Sequence, residues 1–124
     1  MSKKVILIQD DSDCKDIMRY ILEEEGFEVM TPASKEVLNH TTVDFDLVII
    51  DEYSEGKTGS NICKQLKNDD QTCNKPVLLT STGLGLESVA RDCKADTYLI
   101  KPFDITYFAE VIKTMLDRQW SVAL

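Results

Sequence analysis

The chain lacks any apolar run long enough to cross a bilayer. A spanning helix needs about 18 or more consecutive apolar residues, and stretches such as Leu47–Ile50 stop far short of that and read as buried strands. The amino terminus, MSKK followed by VILI and then acids, has neither the apolar segment nor the small-residue cleavage site of an export signal, so a cytoplasmic protein is expected. Histidine is nearly absent: His40 stands alone in an Asn-His-Thr-Thr stretch and reads as a surface residue. The four cysteines, Cys14, Cys63, Cys73 and Cys93, are widely spaced and make no C-x-x-C pair, which argues against a zinc site. They are expected to be reduced, mostly buried thiols that act as small apolar side chains. Positive charge is short as well. Lys plus Arg number 14 against 22 Asp plus Glu, a net charge of −8, which disfavours binding along a phosphate backbone. Neither nucleic acid nor a membrane is an expected partner.

What is present suits one globular domain spanning residues 1–124. Hydrophobic residues make up 43% and charged residues 29% of the 124, enough to bury a single core. Short apolar runs alternate with helical stretches, the signature of a parallel sheet covered on both faces. Five runs predict strands: Val5 to Ile8, Phe27 to Met30, Leu47 to Ile50, Val77 to Leu79, and Tyr98 to Ile100. Between the first two, Cys14, Ile17, Met18, Ile21 and Leu22 recur at helical spacing; Ser12 or Asp13 can cap the start, and Gly26 follows the end. Ser34 to Thr41 predicts a short helix, Ser60 to Lys67 a second crossover, and Glu87 to Cys93 a brief one. A last helix, capped by Asp104, carries Phe108, Val111, Ile112 and Met115 on one face. The fold class is therefore α/β: a (βα)5 doubly wound, five-stranded parallel sheet in a three-layer sandwich. The tail holding Trp120, Val122 and Leu124 is expected to dock on the domain.

In such sheets functional groups gather beyond the carboxyl ends of the strands, at the crevice where strand order reverses. Asp10 and Asp11 end the first strand, Asp51 the third, Ser81, beside Thr80 and Thr82, the fourth, and Lys101 the fifth. With strand order 2-1-3-4-5 the three aspartates converge. At about 4 Å and an effective dielectric near 20, each like-charged pair costs on the order of 4 kcal/mol, which a divalent cation would offset. Hard oxygen donors that leave room for water and phosphate oxygens suit Mg²⁺. Lys101 adds a point charge and Ser81 a hydroxyl, so together these groups fit phosphoryl transfer, where positioning and charge neutralisation do most of the catalysis. Each element has a plainer reading alone. The acidic run can cap a helix, Asp51 can start a turn, Ser81 can be a satisfied strand-end hydroxyl, and Lys101 a solvated charge. The combination at four strand ends favours the site.

Those same residues resemble the receiver domains of bacterial response regulators, including the single-domain chemotaxis regulator. The resemblance runs along the whole chain and rests on Asp10-Asp11, on Asp51 after LVII with Gly59 beyond it, on PVLLTS ending at Ser81, and on ADTYLIKPF. It implies a flavodoxin-like fold with Asp51 as phosphoacceptor, supplied by a sensor histidine kinase, a phosphotransfer protein or a small phosphodonor. It also implies Mg²⁺ held by Asp11, Asp51 and the backbone carbonyl of Tyr53, with Asp10 acting through water. Ser81 and Tyr98 are implied to move together as a switch, Lys101 to precede a cis proline bond, and the face around the fourth helix, fifth strand and fifth helix to meet a downstream protein. The chain would act as a monomer or a phosphorylation-dependent dimer, and would be no enzyme beyond its own phosphorylation and dephosphorylation.

Several positions depart from the family pattern. Lys94 replaces a usual glycine, Glu55 a frequent proline, and Gln9 an apolar residue. The Ser81–Tyr98 segment is shorter than usual, which predicts a truncated or partly unwound fourth helix. Tyr53 and Thr82 are expected to crowd water and slow self-dephosphorylation. Two other readings compete: a receiver-like interaction module that does not use phosphate, and a small phosphatase. The phosphatase would want a second acid near the nucleophile, and Glu52, next to Asp51 on a strand end, is expected to point to the opposite face.

Overall fold

The computed structural model describes residues 3–32, 45–52, 59–83 and 85–117. The helix predicted for Ser34–Thr41, His40, Tyr53, Glu55 and the tail with Trp120, Val122 and Leu124 lie outside the described residues. Within them the elements run β1 (Lys4–Ile8), α1 (Ser12–Glu24), β2 (Glu28–Met30), β3 (Leu47–Asp51), α2 (Gly59–Asn68), β4 (Val77–Ser81), α3 (Leu86–Cys93), β5 (Thr97–Ile100) and α4 (Ile105–Asp117).

The strands form one parallel sheet, as the alternation predicted, and its order β2-β1-β3-β4-β5 is the one expected for the doubly wound fold. Because successive side chains alternate across a strand, each central strand feeds two cores. Ile6, Ile8, Val48, Ile50, Val77 and Leu79 meet Ile62, Cys63 and Leu66 of α2 and Leu86, Ala90 and Cys93 of α3. On the other face Val5, Leu7, Leu47, Ile49, Leu78 and Leu99 meet Met18 and Leu22 of α1 and Phe108, Ile112, Met115 and Leu116 of α4. The sheet interior is therefore apolar on both sides, and the polar residues collect at the strand ends.

The caps refine the sequence reading. Helix α1 is capped by Asp11, whose carboxylate accepts from the backbone N–H groups of Asp13 and Cys14 at 3.0 and 3.3 Å, and not by Ser12 or Asp13. All three residues have capping chemistry, and the strand ending at Ile8 places Asp11 first in the turn. Asp104 caps α4 as expected, accepting from Thr106 and Tyr107 at 2.7 and 3.1 Å. The crossover after β4 is a regular helix of 8 residues, short but not unwound. It ends at Lys94, whose φ of 65° is left-handed, the conformation that glycine adopts without steric cost. All four cysteines are free; Cys63 and Cys93 are buried, whereas Cys14 is half-buried and Cys73 exposed, so the expectation of mostly buried thiols holds for only two.

Candidate functional site

The crevice lies at the carboxyl end of the sheet, between β1 and β3, where strand order reverses. Asp51 is the last residue of β3 and stands opposite Thr80 of β4 in the register. Its side chain shares the face of Leu47 and Ile49, so it emerges over the α1/α4 layer. Lys101 leaves β5 with the same parity as Leu99. Its ammonium reaches Asp51 Oδ1 at 2.6 Å, with only 17% and 13% of the two side chains exposed. The Thr80 hydroxyl donates to the same oxygen at 3.3 Å. A half-sheltered carboxylate is thus gripped by one cation and one hydroxyl, across 50 residues of sequence. The peptide bond after Lys101 is cis, as the resemblance implied.

The end of β3 and the start of α2 are joined by backbone as much as by side chains. Gly59, the first residue of α2, donates its N–H to the Glu52 carbonyl. A Cβ there would fall inside contact distance of the Asp51 carbonyl oxygen and the Ile50 side chain, so only glycine lets α2 start this close to the acceptor residue. Glu52 is 6% exposed, and its carboxylate accepts from the Ser60 N–H at 2.8 Å. It is occupied with the first turn of α2 and takes no place beside Asp51.

The remaining predicted residues are less tightly gathered. Among the described residues no three His, Cys, Asp or Glu side chains stand close enough together to hold a metal ion. Asp51 is paired with Lys101, and Asp11 caps the first turn of α1. Asp10 is exposed at the rim, and Tyr53 lies outside the described residues. The donor chemistry still suits a hard cation, since Asp10, Asp11 and Asp51 offer only carboxylate oxygens, and the α1 cap uses Oδ1 of Asp11.

Ser81 is 3% exposed, and its hydroxyl oxygen accepts from the Gly83 N–H at 2.9 Å. It has the parity of Val77 and Leu79, so it emerges on the sheet face opposite Asp51. Tyr98 packs against that same α2/α3 core, half-buried, and Thr82 is exposed. Two residues gain an importance that the sequence reading did not give them. Thr80 has Asp51's strand parity and register partner, a signal present in the alternation itself. Gln9, buried at 5% exposure, accepts from the Asp11 N–H at 3.1 Å through its side-chain oxygen, while its amide nitrogen has no hydrogen-bond partner. A buried donor left so costs about 1–3 kcal/mol.

Comparisons with known proteins place this geometry. A family model described as the response regulator receiver domain matches residues 5–113. The phosphate regulon transcriptional regulatory protein PhoB of Rhizobium meliloti is 31% identical over 127 aligned positions, which take in 95% of this chain and 54% of that protein. The chain thus spans about half the length of that curated relative. Among solved structures, a CheY-like receiver domain protein from Methanospirillum hungatei superposes with a TM-score of 0.85 at 25% identity, covering 96% of this chain and 97% of the other. The receiver domain of the Pseudomonas aeruginosa sensor histidine kinase PA1611, solved with magnesium coordinated in its active-site cleft, superposes with a TM-score of 0.84 at 13% identity, over 94% and 99% of the two chains, a likeness of fold. With the match extending from β1 into α4 and the sheet order agreeing, the chain belongs to the response regulator receiver domain family.

Proposed function

We propose that this receiver accepts a phosphoryl group on Asp51 from a histidine kinase or phosphotransfer protein, in a Mg²⁺-dependent reaction that alters which downstream protein it binds. The observation that carries this reading is the 2.6 Å contact of Lys101 with Asp51 Oδ1 at the end of a central strand, in the crevice of a doubly wound sheet. A lone carboxylate there would be an ordinary strand end. A carboxylate held by a cation that can follow its charge elsewhere is equipped for group transfer.

In the reaction a carboxyl oxygen of Asp51 attacks phosphorus, the bond from phosphorus to the donor's imidazole nitrogen breaks, and the imidazole keeps the electron pair and takes up a proton. Lys101 then shifts its ammonium from the carboxylate to a phosphoryl oxygen, so the positive charge stays with the charge that develops. Mg²⁺, held by Asp10, Asp11, Asp51 and the backbone carbonyl of Tyr53, would neutralise the phosphoryl oxygens as they approach the carboxylates. Ser81, whose hydroxyl oxygen accepts from the Gly83 N–H and keeps its own O–H free to donate, would have to turn over the end of β4 from the opposite face to donate to the phosphoryl group, and Tyr98, packed on its sheet face, would follow that movement. Catalysis is limited to the protein's own phosphorylation and dephosphorylation.

Incubation with Mg²⁺ and acetyl phosphate, followed by intact-mass measurement, tests this. One base-labile phosphoryl adduct is expected, absent in Asp51→Asn and formed more slowly in Lys101→Met. An adduct that survives Asp51→Asn, or none in the wild-type protein, refutes the proposal.

A further inference from the structure

Helices α2 and α3 pack side by side on the sheet face opposite Asp51, and each brings a cysteine to the contact. Cys63 is 0% exposed in the body of α2, and Cys93, the last residue of α3, is 1% exposed. The Cys63 sulfur lies 3.2 Å from the Cys93 carbonyl oxygen, while the Cys93 sulfur is 3.6 Å from the Ala90 carbonyl. Neither group takes part in the chemistry at Asp51.

The two thiols differ in character. The Cys63 hydrogen bond and the Ala95 backbone N–H stabilise a charge on Cys93 and bring it from an ordinary 9.0 down to about 7, although burial and nearby Glu52 oppose this. Cys63 is pushed well above the usual thiol range, because it donates toward Cys93 and is buried; Lys67 pulls it down and Asp96 pushes it up. The arrangement therefore holds a nucleophilic sulfur beside a protonated one, the complement needed for one to be oxidised and the other to resolve it.

Access comes through α3. With 8 residues the helix is marginal by itself. Gly85 begins it in the left-handed region with no side-chain cap, and Lys94 ends it with a left-handed φ that costs about 1 kcal/mol. Local opening of such a segment exposes Cys93 before the rest of the core.

We infer that Cys63 and Cys93 form a peroxide-responsive, reversible disulfide that ties the end of α3 to α2. Cys93, as thiolate, attacks one oxygen of hydrogen peroxide. The O–O bond breaks and hydroxide leaves, taking up the proton that Cys93 had released, to give a sulfenic acid and water. The Cys63 sulfur then attacks the Cys93 sulfur, the S–O bond breaks, and the Cys63 proton departs with the oxygen as a second water. Two thiols and one peroxide become one disulfide and two waters, the sulfurs oxidised and the peroxide reduced. The link closes just before β5, the strand that carries Tyr98 and leads to Lys101.

The test treats the full chain with hydrogen peroxide, blocks remaining thiols with N-ethylmaleimide and maps tryptic peptides without reduction. The expected result is an intact mass with two N-ethylmaleimide adducts in place of four and two hydrogens fewer, with a cross-link joining the peptides that contain Cys63 and Cys93, reversed by dithiothreitol. In Cys63→Ala, dimedone should trap a sulfenic acid at Cys93. Oxidation confined to half-buried Cys14 and exposed Cys73, or a cross-link that pairs Cys63 or Cys93 with either of them, overturns the inference. The wild-type peptide map distinguishes these outcomes even if Cys63→Ala fails to fold.

Discussion

Replacing Lys67 with methionine removes an ammonium while keeping most of its apolar stem. The amino group is spent on three acceptors: Asp96 Oδ2 at 2.8 Å, the Lys75 carbonyl at 2.8 Å and the Cys73 carbonyl at 3.4 Å. Only 9% of the lysine side chain and 22% of Asp96 are exposed. At this separation and an effective dielectric near 20, the gross attraction is about 6 kcal/mol, much of it offset by desolvation of both charges. Truncating one partner of a buried pair costs about 3–5 kcal/mol. The lower end applies here, because Asp96 keeps the Val77 N–H at 2.7 Å and some water. We expect Lys67→Met to destabilise the domain by about 3 kcal/mol, lowering the thermal midpoint by about 12 °C at roughly 4 °C per kcal/mol. Urea unfolding with an unchanged slope is the check, and Asp96→Asn in a double-mutant cycle isolates the pair. A loss below about 0.5 kcal/mol would mean that the pair behaves as an exposed one and would refute the reasoning.

Three more outcomes follow from the same geometry. Gly59→Ala, which drives a methyl into the Asp51 carbonyl and the Ile50 side chain, should cost about 2 kcal/mol in chemical denaturation and slow adduct formation at Asp51. Lys94→Gly relieves a left-handed non-glycine residue and should stabilise by about 1 kcal/mol, read as a raised denaturation midpoint; no gain would mean that the αL end is not strained. The thiol pair sets a pH dependence of opposite signs. Cys93, lowered to about 7 from 9.0, adds stability above the unfolded value that is lost as pH falls from 9 to 7. Cys63, raised in the fold, adds stability below 9 that is lost as pH climbs further. Urea midpoints across that range should therefore peak near pH 9, and Cys93→Ser should flatten the rise between 7 and 9.

The alternation of short apolar runs with helical spacing was enough to locate five strands of a parallel sheet and the face each residue takes, because each strand had to satisfy two cores at once; the spatial order of the strands is not contained in that alternation and comes from the doubly wound topology. That same alternation carried more about the site than a reading of residue types at strand ends takes from it. Asp51, Thr80 and Lys101 share the parity of Ile49, Leu78 and Leu99, so one sheet face brings carboxylate, hydroxyl and ammonium together, whereas Ser81 belongs with Leu79 on the other. The sequence puts the cap of α1 at Ser12 or Asp13, and the structure uses Asp11 one residue earlier, which has the same chemistry and lies where the chain leaves the strand end. The Cys63–Cys93 contact depends on how α2 lies against α3, a relation that neither helix's own periodicity contains. Strand parity is thus a property of one segment and legible in it, while a meeting of two helices belongs to the packing. For this receiver that puts the site at Asp51 within reach of sequence reasoning and leaves the thiol pair to be found in the structure.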